Sequence, residues 1–320
     1  MYATPQLLDR PAVHKRWHRP LVALAMVMGL LAVLCLIGLL VDQRQITGAA
    51  AWLKPLKFAL SVGIYGLTLS RLLALMPVRR RLSWWLGTIA AVFLATEMVI
   101  IVGAAIAGTT SHFNVATPFA AALWTTMAVS IVIVWVATTV VAALLWRADL
   151  GDRGRVVAIR AGLVIAIIGM GVAFLMTGPQ GTQISHYQGV IGAHTVGAVD
   201  GGPGLPLVGW STENGDLRIP HFVGMHALQL LPVAAFVLEL MARRVTALRS
   251  VVIRWRILGV LILLYVALLA VLTLQALAGQ SIVQPDATVT TVTVALLVGA
   301  TTAIAVIVVR GRVLAQPRVS

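Results

Sequence analysis

The sequence predicts an all-α integral membrane protein, a bundle of eight transmembrane helices with both termini cytoplasmic and one long structured loop on the opposite face. Three observations predict it. Hydrophobic residues make up 60% of the 320 and charged residues 11%, against roughly 25% charged in soluble domains. Apolar runs of about 18 residues or more, each long enough to cross ~30 Å of hydrocarbon, recur from end to end, and the mean hydropathy is +0.97. The third observation is the placement of charge. Alternate connections, starting with the N-terminal arm, hold 20 of the 24 Lys and Arg residues, and the positive-inside rule makes that side cytoplasmic. A miscount by one helix would destroy this alternation, so charge supports eight spans independently of hydropathy.

Taken in order, residues 1–20 form a basic cytoplasmic arm with Arg10, Lys15, Arg16 and Arg19. His14 and His18 fall in it and are expected to be solvated or near headgroups. The first span, 21–41, ends without a small-residue cleavage pattern and is read as a retained helix rather than a signal peptide. A short link leads to the second span, to about 76, where Pro55 suits a first helical turn because its missing N–H is no loss there. The third span is expected over 83–107, with Glu97 near its middle. Pro118 opens the fourth, to about 146.

A charged link, 147–160, precedes the fifth span, 161–177. The sixth opens at Pro220 and ends near Met241, the seventh covers 257–278, and the eighth 288–309. Residues 21–309 are thus one membrane domain, with 178–219 as its non-cytoplasmic cap loop and 310–320 as a basic cytoplasmic tail. Trp17, Trp52, Trp84, Trp85, Trp146, Trp210 and Trp255 fall near span ends, where aromatic anchors belong.

The net charge of +14 is explained by arginines meeting anionic headgroups, so nucleic acid is not expected as a partner. Membrane lipids are. No glycine pattern in context matches a nucleotide-binding fingerprint. Cys35, the single cysteine, reads as a small buried hydrophobe. No internal repeat of the inverted-transporter kind is visible. The preponderance of arginine over lysine, with abundant alanine and valine, suggests a bacterial inner membrane.

Candidate chemistry gathers on the non-cytoplasmic side. His112, His186, His194, His221 and His226 are all expected there, with Lys54, Lys57, Asn114, Asp200, Glu213, Asp216 and Arg218. The cap is rich in Gly and Pro around 200–206, and a loop of that length without helix is usually a lid, a binding loop or disordered; Leu205, Leu207, Trp210 and the spaced histidines argue against simple disorder. His226 lies roughly 9 Å below the start of the sixth span and shares a face with Gln229 and Phe222. His221 points about 140° away from it and belongs to the rim. Pro232 is expected to kink the helix and free a carbonyl.

An ionisable Glu97 in mid-membrane needs a partner or carries a proton, and Lys57, Tyr65, His226 and Gln229 are the candidates. Lys57, Ser61 and Tyr65 recur at i, i+4, i+8 as a polar stripe. Glu239 is read as structural, near Arg243.

Imidazoles in this number suit haem iron, zinc or another transition metal. The expected centre is His226 with His112 and His194 as metal ligands, and Gln229 beside it in the cofactor site. Glu97, His112 and Lys57 are the catalytic candidates. Asp200, Trp210, Arg218 and Tyr65 are the substrate-binding ones, with Lys57 or Arg218 holding an anionic headgroup or a quinone oxygen. The leading expectation is a metal- or haem-dependent membrane enzyme acting on a lipid or quinone-like molecule at the outer face. A proton-coupled transporter or sensor is the alternative, and a structural or assembly subunit the third reading.

Overall fold

The computed structural model describes residues 17–76 and 80–315. Most of the basic arm, with His14, the linker residues 77–79 and the end of the tail lie outside the described residues. In chain order the helices are α1 (Arg19–Val41), α2 (Leu53–Leu73), α3 (Arg80–Ile106), α4 (Pro118–Leu145), α5 (Arg153–Val172), the short α6 (Gly181–Ser185), α7 (Arg218–Met241), α8 (Val251–Leu277) and α9 (Ala287–Ala315). Among the described residues, all but α6 are long and apolar enough to cross a membrane, which makes eight. The protein is a multi-pass all-α membrane bundle.

Two spans start earlier than hydropathy predicts, α5 at Arg153 rather than 161 and α8 at Val251 rather than 257. The extra turns carry arginines that interrupt the hydropathy, and polar contacts hold them together with the packing of Ala158, Ile159 and Ile253. Asp152 caps α5, its Oδ1 accepting from the Gly154 amide at 2.9 Å, and its Oδ2 accepts from Arg254 of α8 at 2.9 Å. Arg153 lies over the Trp255 ring at 4.8 Å. Glu239 pairs with Arg155 of α5 at 2.7 Å, so its partner is across the bundle and not Arg243, just past the end of α7. His18 is also placed differently from expectation. It is 8% exposed and caps α1, with Nδ1 accepting from the Leu21 amide and Nε2 donating to the Trp84 carbonyl at 2.9 Å.

The main core joins α1–α4 to one face of α5 and to Leu228 of α7, through Leu21, Leu69, Ile101, Met127, Leu163 and their neighbours. Helices α5 and α7 form the most intimate pair. A Cβ on Gly162 would sit 2.8 Å from the Ala227 carbonyl, and one on Gly224 would sit 2.5 Å from the Gly169 Cα. Glycine at these crossings lets two backbones touch, as membrane helix pairs require where there is no hydrophobic drive between them. Trp135 of α4 donates to the Ile167 carbonyl at 3.0 Å and secures α4 on α5. By contrast α2 and α7 meet only sparsely. Pro232 lies inside α7, which runs continuously through it.

The link after α1 forms a hairpin, β1 (Gln45–Ile46) paired with β2 (Ala49–Ala50). Its turn residues Thr47 and Gly48 both have positive φ, the signature of the tight turns that match strand twist. The tip rests against the backbone of Gly201 in the cap. Beside it, Asp42 accepts from the Trp52 indole at 2.8 Å and pairs with Arg44 at 2.7 Å.

Candidate functional site

The cap, 178–219, is built on α6, on a strand pair β3 (Thr195–Val196) with β4 (Gly215–Asp216), and on turns. Asp216 is its buried anchor, 1% exposed. It accepts from the Ser211 amide at 2.8 Å and pairs with Arg218 at 2.6 Å. Two cations reach adjacent carbonyls of the cap. Lys57 of α2 donates to Val208 O at 2.8 Å, and Arg218 of α7 donates to Gly209 O at 2.6 Å. Ser281, after α8, donates to Ser211 O at 3.1 Å. Lys57 and Arg218, expected to hold a substrate's anionic group, are therefore engaged in holding the cap.

Under the cap lies a connected polar cluster. Loop 107–117 pairs with it through the Asn114–Val190 bridge, and the Ile191 amide donates to Phe113 O at 2.9 Å. Phe113 has φ +63, a costly geometry for a bulky residue that persists only when surroundings demand it. Here the ring is clamped between Trp124 at 5.1 Å and His194 at 4.9 Å, which fixes where His112 must point.

Asp200 Oδ2 accepts from His194 Nδ1 at 2.5 Å, while its Oδ1 accepts from the Thr195 amide and hydroxyl, each at 3.0 Å. Lys54, in the first turn of α2, donates to His112 Nδ1 at 3.1 Å. The His112 and His194 rings lie 6.4 Å apart between centroids and are inclined by 34°.

These bonds set the proton positions. When Lys54 is the ammonium it has no lone pair, so Nδ1 of His112, which also faces the Ser111 hydroxyl at 3.0 Å, is the acceptor and its Nε2 carries the proton. An ionised Asp200 can only accept, so Nδ1 of His194 is the donor and its Nε2 holds a lone pair. Burial lowers the pKa of His112 well below the usual imidazole range, and the charge of Lys54 lowers it further. Burial also lowers His194, against the opposing pull of Asp200. For Asp200, burial acts to raise the pKa, but the donors from His194 and Thr195 outweigh it and hold the carboxyl well below the ordinary range. The site therefore presents one N–H donor and one N acceptor side by side.

The remaining candidates are placed elsewhere. His226 sits lower on α7, its ring 4.3 Å from Phe222, which in turn meets Trp210 at 5.8 Å. His226 Nδ1 lies 3.2 Å from Gln229 Oε1. His221 meets the Gly169 carbonyl at 2.8 Å, and His186 meets its neighbour Ser185. The expected trio of His112, His194 and His226 does not assemble. Among the described residues no group of three or more His, Cys, Asp or Glu is arranged to hold a metal ion. The reason is geometric: two of the three imidazoles are at the capped end, and the third is engaged further down α7.

Tyr65 is also engaged, its hydroxyl 2.5 Å from Thr138 of α4, so it belongs to the core and not to a substrate surface. Glu97 is 5% exposed and its Oε1 is buried with no hydrogen-bond partner. None of the four partners expected for it bonds to it; the cation whose charge acts on it is Lys54. The central role of Lys54 escapes the sequence because nothing local tells it from Lys57. No protein-family model matches the chain, and no curated protein or solved structure is significantly similar to it.

Proposed function

We propose that the chain is a multi-pass protein of the bacterial cytoplasmic membrane, with both termini inside and the capped face outward. On this reading the cluster under the cap is an acid–base site acting on the polar head of a lipid or quinone-like molecule. The observation that carries the proposal is the complementary pair of imidazoles, His194 with a lone pair set by Asp200 and His112 with a proton set by Lys54. Orientation rests on the arginines of the opposite face, and the bacterial membrane on the arginine-rich composition.

In the proposed step, His194 Nε2 takes a proton from a substrate hydroxyl, and Asp200 stabilises the imidazolium that forms. His112 Nε2 gives its proton to a substrate oxygen, and Lys54 returns one through Nδ1. The substrate thus loses one proton and gains another. Lys54 is left neutral and His194 charged until both exchange with water. No step calls on a metal or haem, and the two free imidazole nitrogens fall short of the three protein ligands usual in a catalytic zinc site.

The test compares lipid and quinone extracts, by liquid chromatography that resolves isomers coupled to mass spectrometry, from cells expressing the wild type, H194Q or H112Q, with each protein shown to be monodisperse in the membrane fraction. One species consumed or formed only with the wild type is expected. Identical profiles would overturn the acid–base reading. A second reading, proton-coupled transport or sensing, is favoured by Glu97, whose unpartnered oxygen lies in mid-span within reach of the Lys54 charge. It predicts a proton-gradient-dependent flux lost in E97Q.

A further inference from the structure

A second site lies where α7 faces α2, and its chemistry follows from one chain of hydrogen bonds. Thr68 of α2 donates its single hydroxyl proton to the Ile64 carbonyl at 2.8 Å. Its oxygen is then only an acceptor, so the Gln229 amide must turn its NH₂ toward it, as it does at 3.3 Å. That leaves Gln229 Oε1 facing His226, and an acceptor there requires His226 Nδ1 to carry the proton, at 3.2 Å. The other ring nitrogen, Nε2, consequently bears a lone pair. It is buried and has no partner, a costly state for a polar atom.

The seam around it opens to the apolar surroundings. Phe222 and Leu230, one turn above and one turn below His226, are 41% and 53% exposed, and Ile64, one turn from Thr68, is 47% exposed. Phe222 adds an aromatic face next to the imidazole, and Trp210 packs against Phe222 in turn. A ligand for this place must be amphipathic enough to arrive through the bilayer, flat enough to lie on aromatic rings, and able to offer an O–H to a fixed nitrogen lone pair.

We infer that a quinol-type ligand, a phenolic ring on an apolar tail, binds between α2 and α7 and donates its hydroxyl to Nε2 of His226. Thr68 and Gln229 are positioning residues that hold the imidazole in the accepting tautomer. The inference goes beyond the acid–base reading of the cap cluster. It concerns binding without turnover, so either can fail alone.

The experiment uses full-length protein in lipid nanodiscs and two probes, decylhydroquinone and its O,O-dimethyl ether, with retention measured at equilibrium. The ether has the same ring and tail but no O–H. Wild type should hold the hydroquinone about tenfold more tightly than the ether, the size of one hydrogen bond to a buried acceptor. H226L should lose that preference while still binding both weakly. Q229L, which frees the tautomer without touching Nε2, should reduce it in part. Equal retention of the two probes by the wild type would overturn the inference without any variant, as would a preference that persists in H226L. Iron or zinc found in the wild type and lost in H226L would also overturn it, by assigning the lone pair to a metal.

Discussion

Replacing Asp216 by alanine should undock the cap without dismantling the bundle. In the folded protein its two oxygens accept from the Ser211 and Arg218 amides, at 2.8 and 3.0 Å, and from the Arg218 guanidinium at 2.6 and 2.9 Å. The two amide bonds are worth about 1 kcal/mol each and the charged contact about 1.5–3 kcal/mol. The Arg218 side chain is 29% exposed, so it can recover some hydration and the lower end applies. The sum is about 3–4 kcal/mol, or two to three orders of magnitude in the local opening equilibrium. Hydrogen exchange of peptide 205–217 in nanodiscs reads this directly, since the Ser211 amide loses its acceptor. D216N keeps an acceptor for that amide and should show roughly half the effect in free energy. Exchange of this peptide in D216A within about threefold of wild type would refute the reasoning and move the cap's anchor elsewhere.

Acidification should loosen the same region. His112 and His194 are buried with lowered pKa, whereas unfolded imidazole titrates near ~6.5. Their contribution is full above that value and is lost as pH falls toward the folded pKa values. Asp200, held low, withdraws its share only below the unfolded carboxyl value of ~3.9. Cap exchange rates should therefore rise from about pH 7 to 5, less steeply in H112Q, and a flat profile would contradict the buried neutral imidazoles. G169V should push α5 from α7, because even a Cβ there meets the Gly224 backbone. A loss of about 1–3 kcal/mol or more should lower the thermal midpoint by several degrees. Y65F should cost only about 1 kcal/mol, since Thr138 already donates to Val134 O at 2.7 Å. The loss should vanish in a T138V background, and a large loss there would refute the assignment.

The spans were legible because hydrophobic length is a local property. Their arginine-bearing first turns were not, since these depend on contacts across the bundle, Asp152 with Arg254 and Arg153 with Trp255. Intrahelical spacing placed His226 beside Gln229 and Phe222 correctly. Convergence between elements was another matter. His112 and Lys54 are 58 residues apart, and their meeting depends on how a loop with a positive-φ Phe113 folds under the cap. Composition alone could not tell that Lys57 and Arg218 would bind carbonyls of their own chain. A histidine count likewise says nothing about which ring nitrogens are already occupied.

The two carbonyls at 208 and 209 have a mechanical consequence. One is held by α2 through Lys57 and the next by α7 through Arg218, the same two helices whose direct packing is sparse. Two successive peptide units thus form a clasp across the seam at its capped end. A single residue of extended chain spans no more than ~3.6 Å, so the clasp has almost no slack. Helices α2 and α7 cannot part at that end by more than the stretch of two side chains unless the cap releases one of them. Widening of the seam at its capped end and release of the cap are therefore one mechanical degree of freedom.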